Sequence, residues 1–369
     1  VRQEKAVSHS DAFKPYLNEL RANLAGGMAT EHTHRPALER LIESLEPGIQ
    51  ATNEPTRIQC GAPDFIVARG NTTIGYIEAK DIGVSLHEME RSDQLRRYRT
   101  SLNNLILTDY LEFRWYVDGD HRETARLATV GLDGSLKTSR DGIEAVAALL
   151  LRFLAEQPPA VGQPRELAQR MATLARLVRD LITETFGREG EHGQLHAQLQ
   201  AFRAALIPDL QPEQFADMYA QTIAYGLFAA RVRANGRRFS RKEAAWNLPR
   251  TNPFLRNLFN EIAGPGLDDR IAWLVDDLAQ LLARADMGEI LRDFGRRTRQ
   301  EDPVVHFYET FLAAYDPAMR KTRGVYYTPE PVVSYIVRSI DHLLKTRFDR
   351  PQGLADRNTL ILDVLANLA

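Results

Sequence analysis

An α/β unit followed by all-α structure is the fold class this sequence predicts, and three observations predict it. Between residues 57 and 117, short β-branched and aromatic runs flank one helical stretch. From Ile143 to about Leu344 apolar residues recur almost wholly at helical spacing. A short apolar run, Thr359 to Asp363, then ends in an aspartate, the pattern of the first strand in a doubly wound domain. A chain of 369 residues exceeds what one core usually holds, so two or three folded units are expected.

Taken in order, Asp11 to Leu45 reads as helical, with Leu38, Leu41, Ile42 and Leu45 forming an apolar stripe and Pro36 as a helix-start or kink residue. Arg57 to Arg69 and Thr73 to Lys80 are rich in Ile, Val, Phe and Tyr and read as strands, joined through the turn residues Gly70-Asn71. His87 to Leu102 has a helical pattern. Leu105 to Thr108 and Glu112 to Val117 read as two more strands, the second ending in the turn Asp118-Gly119-Asp120. This order implies a small mixed sheet flanked by helices, a unit of roughly 140 residues. Breaks near Pro158 and Lys321 divide the chain into 1–157, a helical connector 158–320, and a third unit beginning in 321–369.

Hydrophobic residues at 44% and charged residues at 26% exclude a mainly disordered chain. Cys60, the one cysteine, cannot form an internal disulfide, and no leader opens the chain, so a cytoplasmic location is expected. Apolar runs such as Ala145 to Leu151 are far too short to span a membrane. With 47 basic against 49 acidic residues, the net charge of -2 does not announce a nucleic-acid binder. Two local runs say more: Arg91, Arg96, Arg97 and Arg99, and Arg231, Arg233, Arg237, Arg238, Arg241 and Lys242. Either can contact phosphates or form a solvated basic face.

Pro63-Asp64 falls in the first expected strand, and Glu78-Ala79-Lys80 closes the second. Side chains alternate along a strand, so Glu78 and Lys80 share a face, and hairpin pairing lets Asp64 reach it. Two carboxylates and a strand carbonyl are the hard oxygen donors that Mg²⁺ prefers. Attack on a phosphodiester loads negative charge onto anionic oxygens, and a divalent cation stabilises it. Lys80 adds a point charge beside that position. On the next helix Gln94 and Tyr98 lie four residues apart and stack on one face, with His87 and Arg91 extending the stripe. The bland alternative is a capping Asp64, a surface Glu78–Lys80 pair and a half-buried Tyr98.

Across residues 30 to 120 these motifs resemble the PD-(D/E)XK nuclease superfamily, including the Gln94-xxx-Tyr98 element of its restriction and recombination branches. The resemblance implies a restriction-endonuclease-like sheet, Mg²⁺ held by Asp64 and Glu78, double-stranded DNA as substrate, and catalytic roles for Asp64, Glu78, Lys80, Gln94 and Tyr98. It also implies an acid on the first helix; Glu31 is the candidate, with Glu39 and Glu43 as rivals. His32 and His34 read as structural, since no matching Cys or His pair follows at zinc spacing.

The segment Lys321 to Ile340, KTRGVYYTPEPVVSYIVRSI, resembles the one preceding the catalytic fold of N6-adenine methyltransferases in restriction systems. The resemblance implies a Rossmann-like domain in which Tyr327, Thr328, Pro329 and Asp363 border an S-adenosylmethionine site. The glycine-rich turn and the Asn/Asp-Pro-Pro-Tyr/Phe motif do not follow. The expectation is therefore a truncated form of a type IIG or type ISP-like restriction-modification enzyme, without methyl transfer by this polypeptide alone. A separate polypeptide supplying the missing methyltransferase and target-recognition parts is a possible partner. No Walker loop encodes a translocating motor, which favours the type IIG plan. The competing expectations are a non-catalytic DNA-binding or assembly remnant and a protein that is mainly a methyltransferase.

Overall fold

The computed structural model describes residues 9–26, 30–53, 62–70, 72–157, 160–188, 193–205, 207–234, 238–247, 259, 263–264, 267–292, 303–317 and 330–359. The first expected helix is two, α1 (His9–Ala25) and α2 (Glu31–Leu45). Pro36 sits inside α2 rather than at its start. α2 turns Leu38, Leu41, Ile42 and Leu45 inward, the stripe the sequence displays, and α1 adds Phe13 and Leu17.

Among the described residues the main sheet has six strands in sequence order: β1 (Ile49–Asn53), β2 (Phe65–Arg69), β3 (Thr72–Ala79), β4 (Asn104–Thr108), β5 (Glu112–Val117) and β6 (Asp120–Arg126). Only β3 and β4 run parallel; the other neighbours are antiparallel. A parallel pair needs a crossover, supplied by the short α3 (Leu86–Met89) and α4 (Asp93–Ser101). They replace the single helix expected over His87–Leu102, because the Ser92 hydroxyl accepts from Leu95 N–H at 3.3 Å and starts α4 afresh. Of Arg57–Arg69, the strand occupies Phe65–Arg69, so Asp64 stands just before β2 rather than within it. Gly70, at φ +59, turns β2 into β3 as expected.

A small hairpin of β7 (Ala128–Val130) and β8 (Leu136–Thr138) precedes α5 (Arg140–Ala155). One sheet face, with Phe65, Val67, Ile77, Ala79, Ile106 and Phe113, packs on α1, α2 and α5. Gly75 in β3 lies against α5: a Cβ there would stand 2.6 Å from the Phe153 ring and 2.8 Å from the Asn104 carbonyl oxygen. Gly75→Ala is expected to cost about 1–3 kcal/mol through overpacking, read as a lower denaturation midpoint at unchanged slope. Asn104 is itself a staple, donating to the Ile74 and Phe153 carbonyls and accepting from Trp115 Nε1 at 2.7 Å.

The other face, with Tyr76, Leu105, Leu107 and Tyr116, shares one apolar core with α4 and the helices that follow. These are α6 (Pro164–Arg188), α7 (Gln194–Ala205), α8 (Pro212–Ala234), α9 (Arg241–Asn247), α10 (Asp269–Arg284), α11 (Met287–Arg292) and α12 (Pro303–Tyr315). Phe228 of α8 stacks on Phe307 of α12 at 3.8 Å between ring centroids. α10 meets β3 directly: Trp273 lies against the Tyr76 ring, the Tyr76 hydroxyl donates to Asp277, and Gln280 exchanges hydrogen bonds with Thr73. The expected break points at Pro158 and Lys321 lie outside the described residues. Of the expected third unit, 330–359 are described and contain α13 (Glu330–Arg347), while Tyr327, Thr328, Pro329 and Asp363 lie outside the described residues. No described helix is long and apolar enough to cross a membrane.

Candidate active site

Three chain segments meet where β2 begins and β3 ends. Ala79 N–H donates to Asp64 Oδ2 at 2.7 Å, which ties the residue before β2 to the last residue of β3. Glu78 points to the face opposite Ala79 and is only 2% exposed. Lys80 follows and returns its ammonium to Glu78 Oε1 at 2.6 Å. From α2, Arg35 contacts Asp64 Oδ1 and reaches Glu31 Oε1 at 2.7 Å. The structure thus gathers Glu31, Asp64, Glu78 and Lys80. The rival acids lie elsewhere: Glu43 accepts from Ala51 N–H on β1, and Glu39 faces Glu43 and Arg40.

Burial sets the protonation chemistry. It pushes Glu78 up to about 8, and the charge of Asp64 pushes the same way, against the pull of Lys80. Asp64 is raised as well, burial outweighing the Arg35 guanidinium and the Ala79 N–H. Burial pulls Lys80 down, but Glu78 more than compensates, and the ammonium is held above its ordinary value.

A stability prediction follows, with its sign fixed by the upward shift of Glu78 from 4.5 to about 8. Below pH 4.5 the carboxyl is protonated in both folded and unfolded chains, and its contribution is fully present. Between the two values only the unfolded chain releases the proton, so stability falls as pH rises, by up to about 1.4 kcal/mol per pH unit. Above about 8 the loss is complete. Glu78→Gln is expected to flatten this slope in urea unfolding with EDTA present. An unchanged slope between pH 5 and 8 refutes the assignment.

Glu78 Oε2 is buried and has no hydrogen-bond partner, which leaves a carboxylate oxygen for a cation to satisfy. Among the described residues no three His, Cys, Asp or Glu side chains are grouped to hold a metal ion.

On α4, Gln94 Nε2 donates to the Tyr98 hydroxyl at 3.2 Å, the contact their spacing predicts. Tyr98 is 1% exposed; burial, then the charge of Glu78, hold its hydroxyl protonated well beyond the ordinary range. Gln94 and Tyr98 thus stand on the Glu78 side of the sheet. Arg91 meets His87 at 3.0 Å and stays exposed, as does Arg96. Arg97 pairs with Glu184 of α6 at 3.7 Å, and Arg99 donates to the Gly119 carbonyl and covers the Tyr116 ring. In the second basic run Arg231 donates to the Leu282 carbonyl and Arg241 pairs with Asp276, so both tie helices together. Arg233, Arg238 and Lys242 remain exposed, while Arg237 lies outside the described residues.

Sequence reasoning missed Arg35 and Tyr110. The Tyr110 hydroxyl donates to the Glu31 carbonyl at 2.6 Å, and its own carbonyl accepts from Tyr16. Its φ of 69 is a conformation that favours glycine, so the loop after β4 holds it there. His34 packs its ring against Tyr110 at 5.2 Å and is 1% exposed, a core residue. The signal for Arg35 was its spacing, four residues after Glu31 on one helix face.

No protein-family model matches the chain, and no curated protein matches it. Among solved structures, a cryo-EM structure of a DrdV–DNA complex is similar over 96% of this chain, at 21% identity and a TM-score of 0.32. The match covers 33% of that chain, so the present chain spans about a third of the protein it resembles.

Proposed function

We propose that this chain carries a Mg²⁺-dependent DNA endonuclease centre of the PD-(D/E)XK kind, serving a restriction-modification protein. The observation that carries the reading is the meeting of Asp64, Glu78 and Lys80 at one sheet end, with a buried Glu78 oxygen that no protein donor satisfies. A solvated surface pair would not bury its carboxylate or leave it short of a partner.

Asp64 and Glu78 would hold the ion. Bound there, Mg²⁺ would acidify water and offset charge on the scissile phosphate. Lys80 keeps Glu78 oriented and presents its ammonium to the attacking water or to a phosphate oxygen. Tyr98, set by Gln94, walls the site on the α4 side. The exposed Arg91 and Arg96, on the crossover between β3 and β4, would meet backbone phosphates.

Nicking of supercoiled plasmid by the full chain tests this. Cleavage is expected with Mg²⁺, to vanish with EDTA, and to fall by at least about a hundredfold in Asp64→Asn, the scale of losing one transition-state contact. Cleavage that survives EDTA and Asp64→Asn refutes the nuclease reading. Plasmid binding without cleavage in wild type and variant alike would favour a non-catalytic DNA-binding module.

A further inference from the structure

The Arg35 guanidinium is an unusual neighbour for a proposed divalent-cation site. Its side chain is 4% exposed, anchored on α2 and not on the strands that carry Glu78. It contacts Asp64 Oδ1, reaches Glu31 Oε1 at 2.7 Å, and hydrogen-bonds the Tyr110 hydroxyl. Asp64 Oδ2 is meanwhile held by Ala79 N–H. Both oxygens of Asp64 are thus engaged, whereas Glu78 keeps one oxygen without a partner.

A carboxylate oxygen has lone pairs to spare, so geometry alone does not bar a metal ion from Asp64. Charge does: a guanidinium in contact with Oδ1 repels a second cation approaching the same group. Building on the nuclease reading, we propose that Arg35 and the divalent ion compete for Asp64, so that the ion meets Glu78 first and gains Asp64 only as the Arg35–Asp64 contact opens. Arg35 is then a positioning residue with a regulatory effect. It keeps the carboxylate aimed and sets the cation concentration at which the centre assembles. Glu31 and Tyr110 give the displaced guanidinium somewhere to remain, so the exchange does not require α2 to move.

Calorimetric titration of the full chain with Mn²⁺ as the probe separates the possibilities. Glu78→Gln should weaken binding, which locates the ion. Arg35→Met should tighten it about tenfold or more, the effect of removing one like charge from a partly screened site. Arg35→Lys, which retains the charge, should stay near the wild type. Mn²⁺ binding that depends on Glu78 but is unchanged or weakened in Arg35→Met overturns the competition and leaves the nuclease reading standing. Absence of Glu78-dependent binding overturns both.

Because Arg35→Met also removes the guanidinium that holds Asp64 and so weakens the fold, a second measurement uses the wild type. The Arg35 Nε–H resonance should shift and lose exchange protection as Mg²⁺ saturates the site. A resonance that stays fixed while Glu78-dependent binding proceeds overturns the proposal.

Discussion

Lys80→Ala is expected to lower Mg²⁺-dependent cleavage about a hundred- to a thousandfold, while Mn²⁺ binding is retained or tightened. The two readouts part because Lys80 is itself a cation. It sits 2.6 Å from Glu78, with only 19% of its side chain exposed. Removing it takes one positive charge away from the surroundings of the proposed ion, which does not hinder a cation from binding. It also removes the ammonium that would meet the charge developing on phosphate. Lys80→Arg should not rescue, because a planar fork with five fixed donors cannot replace a compact point charge in a buried corner. Single-turnover plasmid nicking at saturating Mg²⁺ checks the rate, and calorimetry checks the binding. Wild-type nicking by Lys80→Ala would remove the residue from the chemistry.

Asp268→Ala is expected to destabilise the helical part by about 3–5 kcal/mol, the cost of removing one partner from a buried ion pair. Asp268 caps α10: it accepts from Arg270 N–H at 3.0 Å and from Nε at 2.7 Å, with Nη2 as a further donor. Both side chains are about 5% exposed. Without the carboxylate the buried guanidinium loses this ion pair, and the helix start loses an acceptor. The effect spreads, because α10 supplies Trp273, Leu274 and Leu278 to the shared core and presents Asp277 and Gln280 to β3. Asp268→Asn keeps an acceptor for the cap and should fall between. Urea unfolding followed by far-ultraviolet circular dichroism measures the change. A shift below about 1 kcal/mol would mean that the pair contributes little.

The parts of the fold legible in the sequence are those where burial imposes a period. The fully buried β4, and β5 with only Arg114 half-buried, were readable from their Leu, Ile, Phe, Trp and Tyr content. The long helices were readable from their stripes. β6 escaped because it is an edge strand with one buried side chain, Ala125, among charged ones, so no alternation marks it. β1 carries an alternation of buried Ile49 and Ala51, too short to stand out beside the apolar run at Phe65.

At the candidate site, Asp64, Glu78 and Lys80 could be found because strand geometry fixes faces, and Gln94 and Tyr98 because helix geometry does. Glu31 was the sequence candidate with Glu39 and Glu43 as rivals, and the contacts of α2 bring it through Arg35 beside Asp64. Arg35 was hidden for the opposite reason: an arginine four residues after a glutamate is the commonest kind of surface pair, and nothing local reveals that this one is buried.

One feature of β3 constrains how such a chain can vary. Tyr76 enters the core shared with the long helices and the buried Glu78 lies on the same face, while Ile77 and Ala79 enter the core under α2 and α5. A single residue inserted in this stretch would exchange the two sets, driving a carboxylate among Phe65 and Ile106 and leaving a methyl group in the acid corner. Odd-numbered insertions and deletions are thus forbidden there by parity.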